Sequence, residues 1–195
     1  MKHRIFYLLV FISILLSACA SPQPTAAPES ATPEQTTPEA SMALQLTSDA
    51  FVNGQSIPAK YTCIGKNISP TLTWTEPPAG TQSFALIVDD PDAPGQTWVH
   101  WVLFNISAST RSVQEDLPIT GKNVDPNAIF VGNNSSGNTS YQGPCPPSGT
   151  HRYFFKLYAL DTTLSLLPGA TKEQVLKAAD GHILEQAELM GTFSK

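Results

Sequence analysis

The sequence predicts a mainly-β domain of antiparallel strands with helix confined to its C-terminal end. Three observations carry this. Short runs rich in β-branched and aromatic residues recur from Ala43 to Leu160. Clusters of Gly, Pro, Asn and Ser separate them, as turns between strands require. Helical capping and periodicity are found only beyond Ala170.

In chain order, "ALQLTS" (Ala43–Ser48) and "PTLTW" (Pro70–Trp74) alternate apolar and polar residues, the mark of strands with one buried face. "SFALIV" (Ser83–Val88) is continuously apolar and suits a central strand. "WVHWVLFNI" (Trp98–Ile106) and "RYFFKLYAL" (Arg152–Leu160) are the longest strand candidates. The breakers are "EPPAG", "DPDAPG" and "VGNNSSGNTSYQGPCPPSG", the last long enough to suggest a functional loop. Thr171 and Gln174 form a capping-box pattern ahead of an apolar stripe of Val175, Leu176 and Ala179. After Gly181, "HILEQAELM" predicts a second short helix, with Ile183, Leu184, Ala187 and Leu189 or Met190 inward. No internal repeat interrupts this order.

The N-terminal part has a different character. Lys2 and Arg4 precede an apolar run from Ile5 to Leu16 and a small-residue segment, Ser17-Ala18-Cys19. That is the form of a secretory signal, and the run is shorter than the roughly 20 residues a spanning helix needs. An uncleaved anchor is the alternative. Small residues directly before Cys19 resemble the bacterial lipobox, which implies a signal peptide over 1–18 and lipidation of Cys19. Cleavage at a small-x-small site is the rival. Ala20 to Ser41 holds five prolines, three glutamates, no Lys or Arg and no large apolar residue, so it has nothing to bury. Residues 19–42 are therefore expected to be a lipidated tether, reaching roughly 70 Å if fully extended, and residues 43–195 the folded domain. The expected location is the extracytoplasmic side of a membrane, reached through export and held by the N-terminal lipid.

Composition excludes some partners. Residues 43–195 carry nine Lys and Arg against thirteen Asp and Glu, with no basic cluster of the kind nucleic acid requires. With Cys19 lipidated, Cys63 and Cys145 remain. In an oxidising compartment they either pair or stay as two buried thiols.

The chemistry concentrates around the histidines. The domain has three, His100, His151 and His182. Period-two alternation places His100 on one face with Trp98, Val102 and Phe104, and His151 with Tyr153, Phe155 and Leu157, while Arg152 and Lys156 point the other way. Either histidine alone reads as a core residue bonded to a backbone carbonyl; two, each beside a Pro-rich loop, suggest a shared site. Asp90 and Asp92 flank Pro91. They either accept turn amides, or Asp90 receives the ring proton of His100 and fixes its tautomer. Two His and two Asp could ligate Zn or Fe, but the spacing matches no tight ligand motif, so no metal is expected. A small anion held by His and Tyr donors and amides at Gly143, Cys145 and Ser148 fits better. Nucleophilic catalysis fits poorly: there is no G-x-S-x-G elbow, and pairing with Cys63 would remove Cys145 as a thiolate.

Several ordered motifs now resemble one family. "DPDAP" then "WVHW", "GPCPPSGTHRY" and "GHILEQAEL", extended by "IPAKYTC", "NISPTLTW" and "ALIVDDPDAP", resemble the phosphatidylethanolamine-binding protein family, and within it the bacterial Raf kinase inhibitor-like branch. The resemblance covers nearly all of residues 44–193. It implies a large antiparallel sheet packed on a smaller one, C-terminal helices and an anion pocket at the sheet end. Carried over, that pocket uses Asp90, His100, Gly143, His151 and Tyr153. Asp92, Trp98 and Arg152 support it, Pro91 and Pro94 shape one loop and Pro144 the other. His182 is expected to be structural, within the second helix. Bacterial relatives read "YTCDG" where this chain has "YTCIG"; Ile64 in place of that Asp could alter the pocket rim. Such proteins bind phosphate-like head groups or modulate kinases or proteases, and are not generally enzymes. The expectation is a lipid-anchored binding protein for a phosphate or carboxylate head group, without a cofactor. The alternative is an inhibitor or modulator of a protease or signalling protein at the cell surface.

Overall fold

The computed structural model describes residues 43–118 and 129–195. The signal segment, Cys19 and the tether lie outside the described residues. A five-stranded antiparallel sheet forms the centre. Its strands are β3 (Ser83–Asp90), β4 (Trp98–Ser107), β6 (Phe130–Val131), β7 (Thr150–Leu160) and β8 (Ile183–Ser194), in the order β6-β4-β3-β7-β8. A three-stranded sheet of β1 (Leu46–Thr47), β2 (Leu72–Trp74) and β5 (Ser112–Val113) lies in the order β1-β2-β5. Among the described residues one α-helix, α1 (Lys172–Ala179), follows β7.

The two faces of the large sheet bury different sets of side chains. On one face, Phe84, Leu86, Val88, Trp101, Leu103, Phe155, Leu157 and Leu189 pack with Leu46, Leu72, Trp74 and Val113 of the small sheet. On the other, Ala85, Ile87, Val102, Phe104, Tyr158 and Leu160 pack under Val175 and Ala179 of α1. Every residue of β3 is buried, because both of its faces are covered; its continuous apolar run anticipates this. Helix α1 begins at the predicted cap, with Thr171 and Gln174 bonded reciprocally.

The predicted second helix is absent: Ile183–Ser194 is β8, paired antiparallel with β7 from Leu160↔Ile183 to Thr150↔Ser194. The segment "EQAEL" has good helix formers, but Ala187, Leu189, Gly191 and Phe193 also alternate with period two. The long free edge of β7 decides in favour of a strand, since tertiary pairing overrides weak local propensity. His182 accordingly sits before a strand, not within a helix, its Nδ1 2.8 Å from Asp161 Oδ1. The outer edge of β8 is capped by residues 53–57: Gly54 and Ile57 N–H groups donate to the Met190 and Thr192 carbonyls. Such cover removes an open edge that could pair with another chain.

Candidate functional site

The C-terminal end of β3 sends successive carboxylates to opposite faces. Asp89 joins the helix face, paired with Lys156 and Lys172, and ties α1 to the sheet. Asp90 joins the other face, where Trp98 lies opposite it in register. A β-bulge then changes the parity of β4. Val88 pairs with Trp101 and Asp89 with Val99, leaving His100 as the extra residue. His100 therefore does not share a face with Val102 and Phe104 as plain alternation predicts. Its ring meets Tyr153 edge-on at a centroid distance of 5.2 Å, on the side of the sheet that holds Trp101. Bulges commonly re-aim a side chain in this way. His151 and Tyr153 arrive on the same side from β7, as alternation predicts, with stacked rings 6.5 Å apart.

Hydrogen bonding fixes each ring. His151 Nδ1 lies 2.7 Å from Asp90 Oδ2, and Asp90 Oδ1 accepts the Asp92 N–H at 2.8 Å. The carboxylate thus serves His151 and a turn amide together. His100, expected to donate to Asp90, instead places Nδ1 2.6 Å from the Gln142 carbonyl. Asp92 is held away by Arg152, whose Nε and Nη2 grip both carboxylate oxygens at 2.9 and 2.7 Å. That bidentate guanidinium brings the Asp92 carboxyl down to about 2. Burial pushes the His100 imidazole below its ordinary value, against the raising effect of the Gln142 carbonyl and nearby carboxylates. Burial, reinforced by Asp90, pushes the Tyr153 phenol up, so it remains a neutral O–H.

A cavity of about 490 Å³ is lined by Asp90, Ala93, Pro94, Trp98, His100, Gln142, Cys145, Pro146, Pro147 and His151, while Tyr153, expected in the pocket, packs against His100 without joining the lining. Among the described residues, four buried side-chain polar atoms lack a partner, and two of them are here: His100 Nε2 and the Tyr153 hydroxyl. The others are the indole nitrogens of Trp74 and Trp101. Because a buried polar atom without a partner is costly, two in one place mark a site suited to a polar ligand. No group of three or more His, Cys, Asp or Glu among the described residues is arranged to hold a metal ion.

Some expected residues stand elsewhere. Gly143 is buried but does not line the cavity, and its N–H donates to Asn67 Oδ1 at 2.8 Å, so that amide is not available to an anion. Its glycine identity comes from packing, since a Cβ there would collide with the Tyr61 carbonyl and Asn67. Pro144 accepts the Cys63 N–H through its carbonyl, and neither it nor Pro91 lines the cavity. Cys63 and Cys145 form a disulfide with Cα atoms 5.4 Å apart, which settles the open alternative and fixes one cavity wall. Ile64 stands 57 % exposed and is not part of the lining. Gln142, Ala93, Pro146 and Pro147 were not anticipated; Gln142 acts through its carbonyl, which any residue supplies, so its identity carries no signal.

Comparison with known proteins agrees with this architecture. The phosphatidylethanolamine-binding protein family profile matches residues 47–194. A UPF0098 protein of Methanothermobacter thermautotrophicus is 50% identical over 152 residues, covering 78% of this chain and 99% of that protein. The crystal structure of CT736 from Chlamydia trachomatis, described as a homologue of phosphatidylethanolamine-binding protein, has 44% identity and a TM-score of 0.72, covering 78% of this chain and 98% of that one. Escherichia coli YbcL, described as a new member of the mammalian family, gives 31% identity and a TM-score of 0.72 over 79% of this chain and 99% of its own. With the profile spanning the whole two-sheet domain and these relatives matched nearly end to end, the chain belongs to the phosphatidylethanolamine-binding protein family.

Proposed function

We propose that the cavity binds a small oxyanion, a phosphate or carboxylate head group, and that the protein does so at the extracytoplasmic side of a membrane, held there by a lipid on Cys19. The observation that carries the pocket is the buried, partnerless Nε2 of His100, in a cavity that His151 and Asp90 also line; the Tyr153 hydroxyl, on the ring packed edge-on against His100, adds a second such atom beside it. Binding is favoured over catalysis because Cys145, the one nucleophilic side chain of Cys, Ser or Thr type that lines the cavity, is bridged to Cys63. The anchor rests on the basic, apolar and small-residue order that ends at Cys19 and on the Pro-rich stretch that follows. A tether of that kind would raise the local concentration of the domain at the membrane surface.

The test is a titration of residues 43–195 with phosphate, phosphoethanolamine and acetate, following the His100 and His151 ring signals by NMR. Matched relatives consist of this domain almost alone, so it is a fair unit to produce. Saturable shifts on both rings, lost in His100→Ala, are expected. No shift at millimolar anion would overturn the pocket. Loss of membrane fractionation in Cys19→Ala is the corresponding expectation for the anchor.

A further inference from the structure

The tautomers in the cavity restrict what kind of oxyanion can enter. His100 Nδ1 faces the Gln142 carbonyl, and a carbonyl only accepts, so the ring carries its hydrogen at Nδ1. In the neutral ring Nε2 is then a bare lone pair, and it is this atom that is buried without a partner. His100 is 3% exposed, and burial favours its neutral form over the opposing pull of its neighbours. The charged and titratable groups around it are Asp89 and Asp90 of β3 and His151 and Tyr153 of β7. Cys145 is in a disulfide, and Arg152 is occupied by Asp92. The cavity thus presents His100 as an acceptor, and the Tyr153 ring, packed edge-on against His100 without lining the cavity, brings a hydroxyl donor beside it. A fully ionised oxyanion has only lone pairs to offer and would set acceptor against acceptor.

We propose, resting on the oxyanion reading above, that the cavity selects oxyanions that bring their own hydrogen, the hydrogenphosphate class, over those that bring none, such as sulfate or a carboxylate. A P–OH donates to His100 Nε2, while the Tyr153 hydroxyl donates to a second phosphate oxygen. An oxyanion without a hydrogen meets that lone pair, and it enters with uptake of one proton from solvent at Nε2, forming an imidazolium that then donates to it. Its binding is therefore linked to the uptake of one proton and weakens as pH rises, by up to tenfold per unit. Inorganic phosphate keeps at least one P–OH across neutral pH and escapes this linkage.

Calorimetric titration of residues 43–195 with inorganic phosphate and with sulfate tests this, at matched ionic strength, at about pH 6 and about pH 8. Repeating each titration in buffers of different ionisation enthalpy counts the protons taken up. Phosphate is expected to bind roughly tenfold or more tighter than sulfate at the higher pH. The gap should narrow on acidification, with about one proton taken up per sulfate. Equal affinities at both pH values with no proton uptake would overturn the selectivity and leave the oxyanion pocket standing. Failure of both anions to bind at millimolar concentration would overturn the pocket itself, and the selectivity with it. In His100→Gln, a neutral amide can turn its N–H toward either ligand, so the preference and the pH dependence should both collapse. A folded variant that kept the phosphate preference would place selectivity elsewhere and overturn the assignment. Should the variant not fold, the wild-type titration still decides.

Discussion

At the scale of single residues, the three neighbouring carboxylates take different charged partners. Asp89 binds two lysines across the helix face, Asp90 orients His151, and Asp92 clamps Arg152. The last pair gives a pH prediction with a definite sign. The Asp92 carboxyl is brought from 3.8 to about 2, so its contribution to stability is present above its unfolded value and is lost as pH falls through the folded one. Both partners are partly exposed, with the Arg152 side chain at 53% and that of Asp92 at 28%, so solvent screening reduces the effect. Arg152→Gln is expected to cost about 1 kcal/mol near neutral pH. That difference should shrink steadily as urea denaturation is repeated from pH 4 down to about pH 2. A cost that persisted unchanged at the acid end would mean that packing of the arginine stem, not its charge, is responsible.

At the scale of elements, β8 is the decisive piece. Along it, Ala187, Leu189, Gly191 and Phe193 face the core, and Gly191 lets the strand approach the loop that caps its edge. A Cβ at Gly191 would lie 2.5–2.8 Å from the side chains of Ile57 and Phe51. Gly191→Ala is therefore expected to destabilise by about 1–3 kcal/mol through overpacking. The sign separates strand from helix, because the same change inside a helix would stabilise by roughly 1 kcal/mol. A thermal melt of the variant reads it directly. The bulge at His100 is the other decisive device, since a one-residue slip in β4 moves a side chain from one face of the sheet to the other.

At the scale of the whole domain, the disulfide ties together segments 82 residues apart in sequence. Cys63 also donates its N–H to Pro144, and Gly143 donates to Asn67. With the Tyr141 hydroxyl donating to the Tyr61 carbonyl, the wall that holds Cys145, Pro146 and Pro147 is fastened to the loop around Cys63 by one covalent and three hydrogen bonds. Closing so long a loop is worth on the order of 4 kcal/mol in the unfolded chain. Reduction, or Cys63→Ser with Cys145→Ser, should lower the stability measured in urea by about that amount. It should also weaken oxyanion binding, because the Pro146 and Pro147 wall loses its anchor. An unchanged affinity in the still-folded double variant would show that the hydrogen bonds alone hold the wall.

The sequence by itself determined the mainly-β class, the strands β4 and β7, the buried central run of β3 and the capped start of α1, because those follow from hydrophobic period and capping chemistry within one segment. It also brought His151 and Tyr153 to one face, since unbroken alternation is a local property of β7. The partners of the ring nitrogens were decided only in three dimensions. Sequence proximity offers Asp90 to His100, but the bulge and the pairing of β3 with β7 give it to His151 and leave His100 to the Gln142 carbonyl. Residues 183–194 had helix formers and a period-two pattern together, and the free edge of β7 chose between them. Likewise two cysteines in separate loops carry no pairing information until the fold sets their Cα atoms 5.4 Å apart. Register, edges and backbone carbonyls belong to no single residue, so composition and spacing could not specify them.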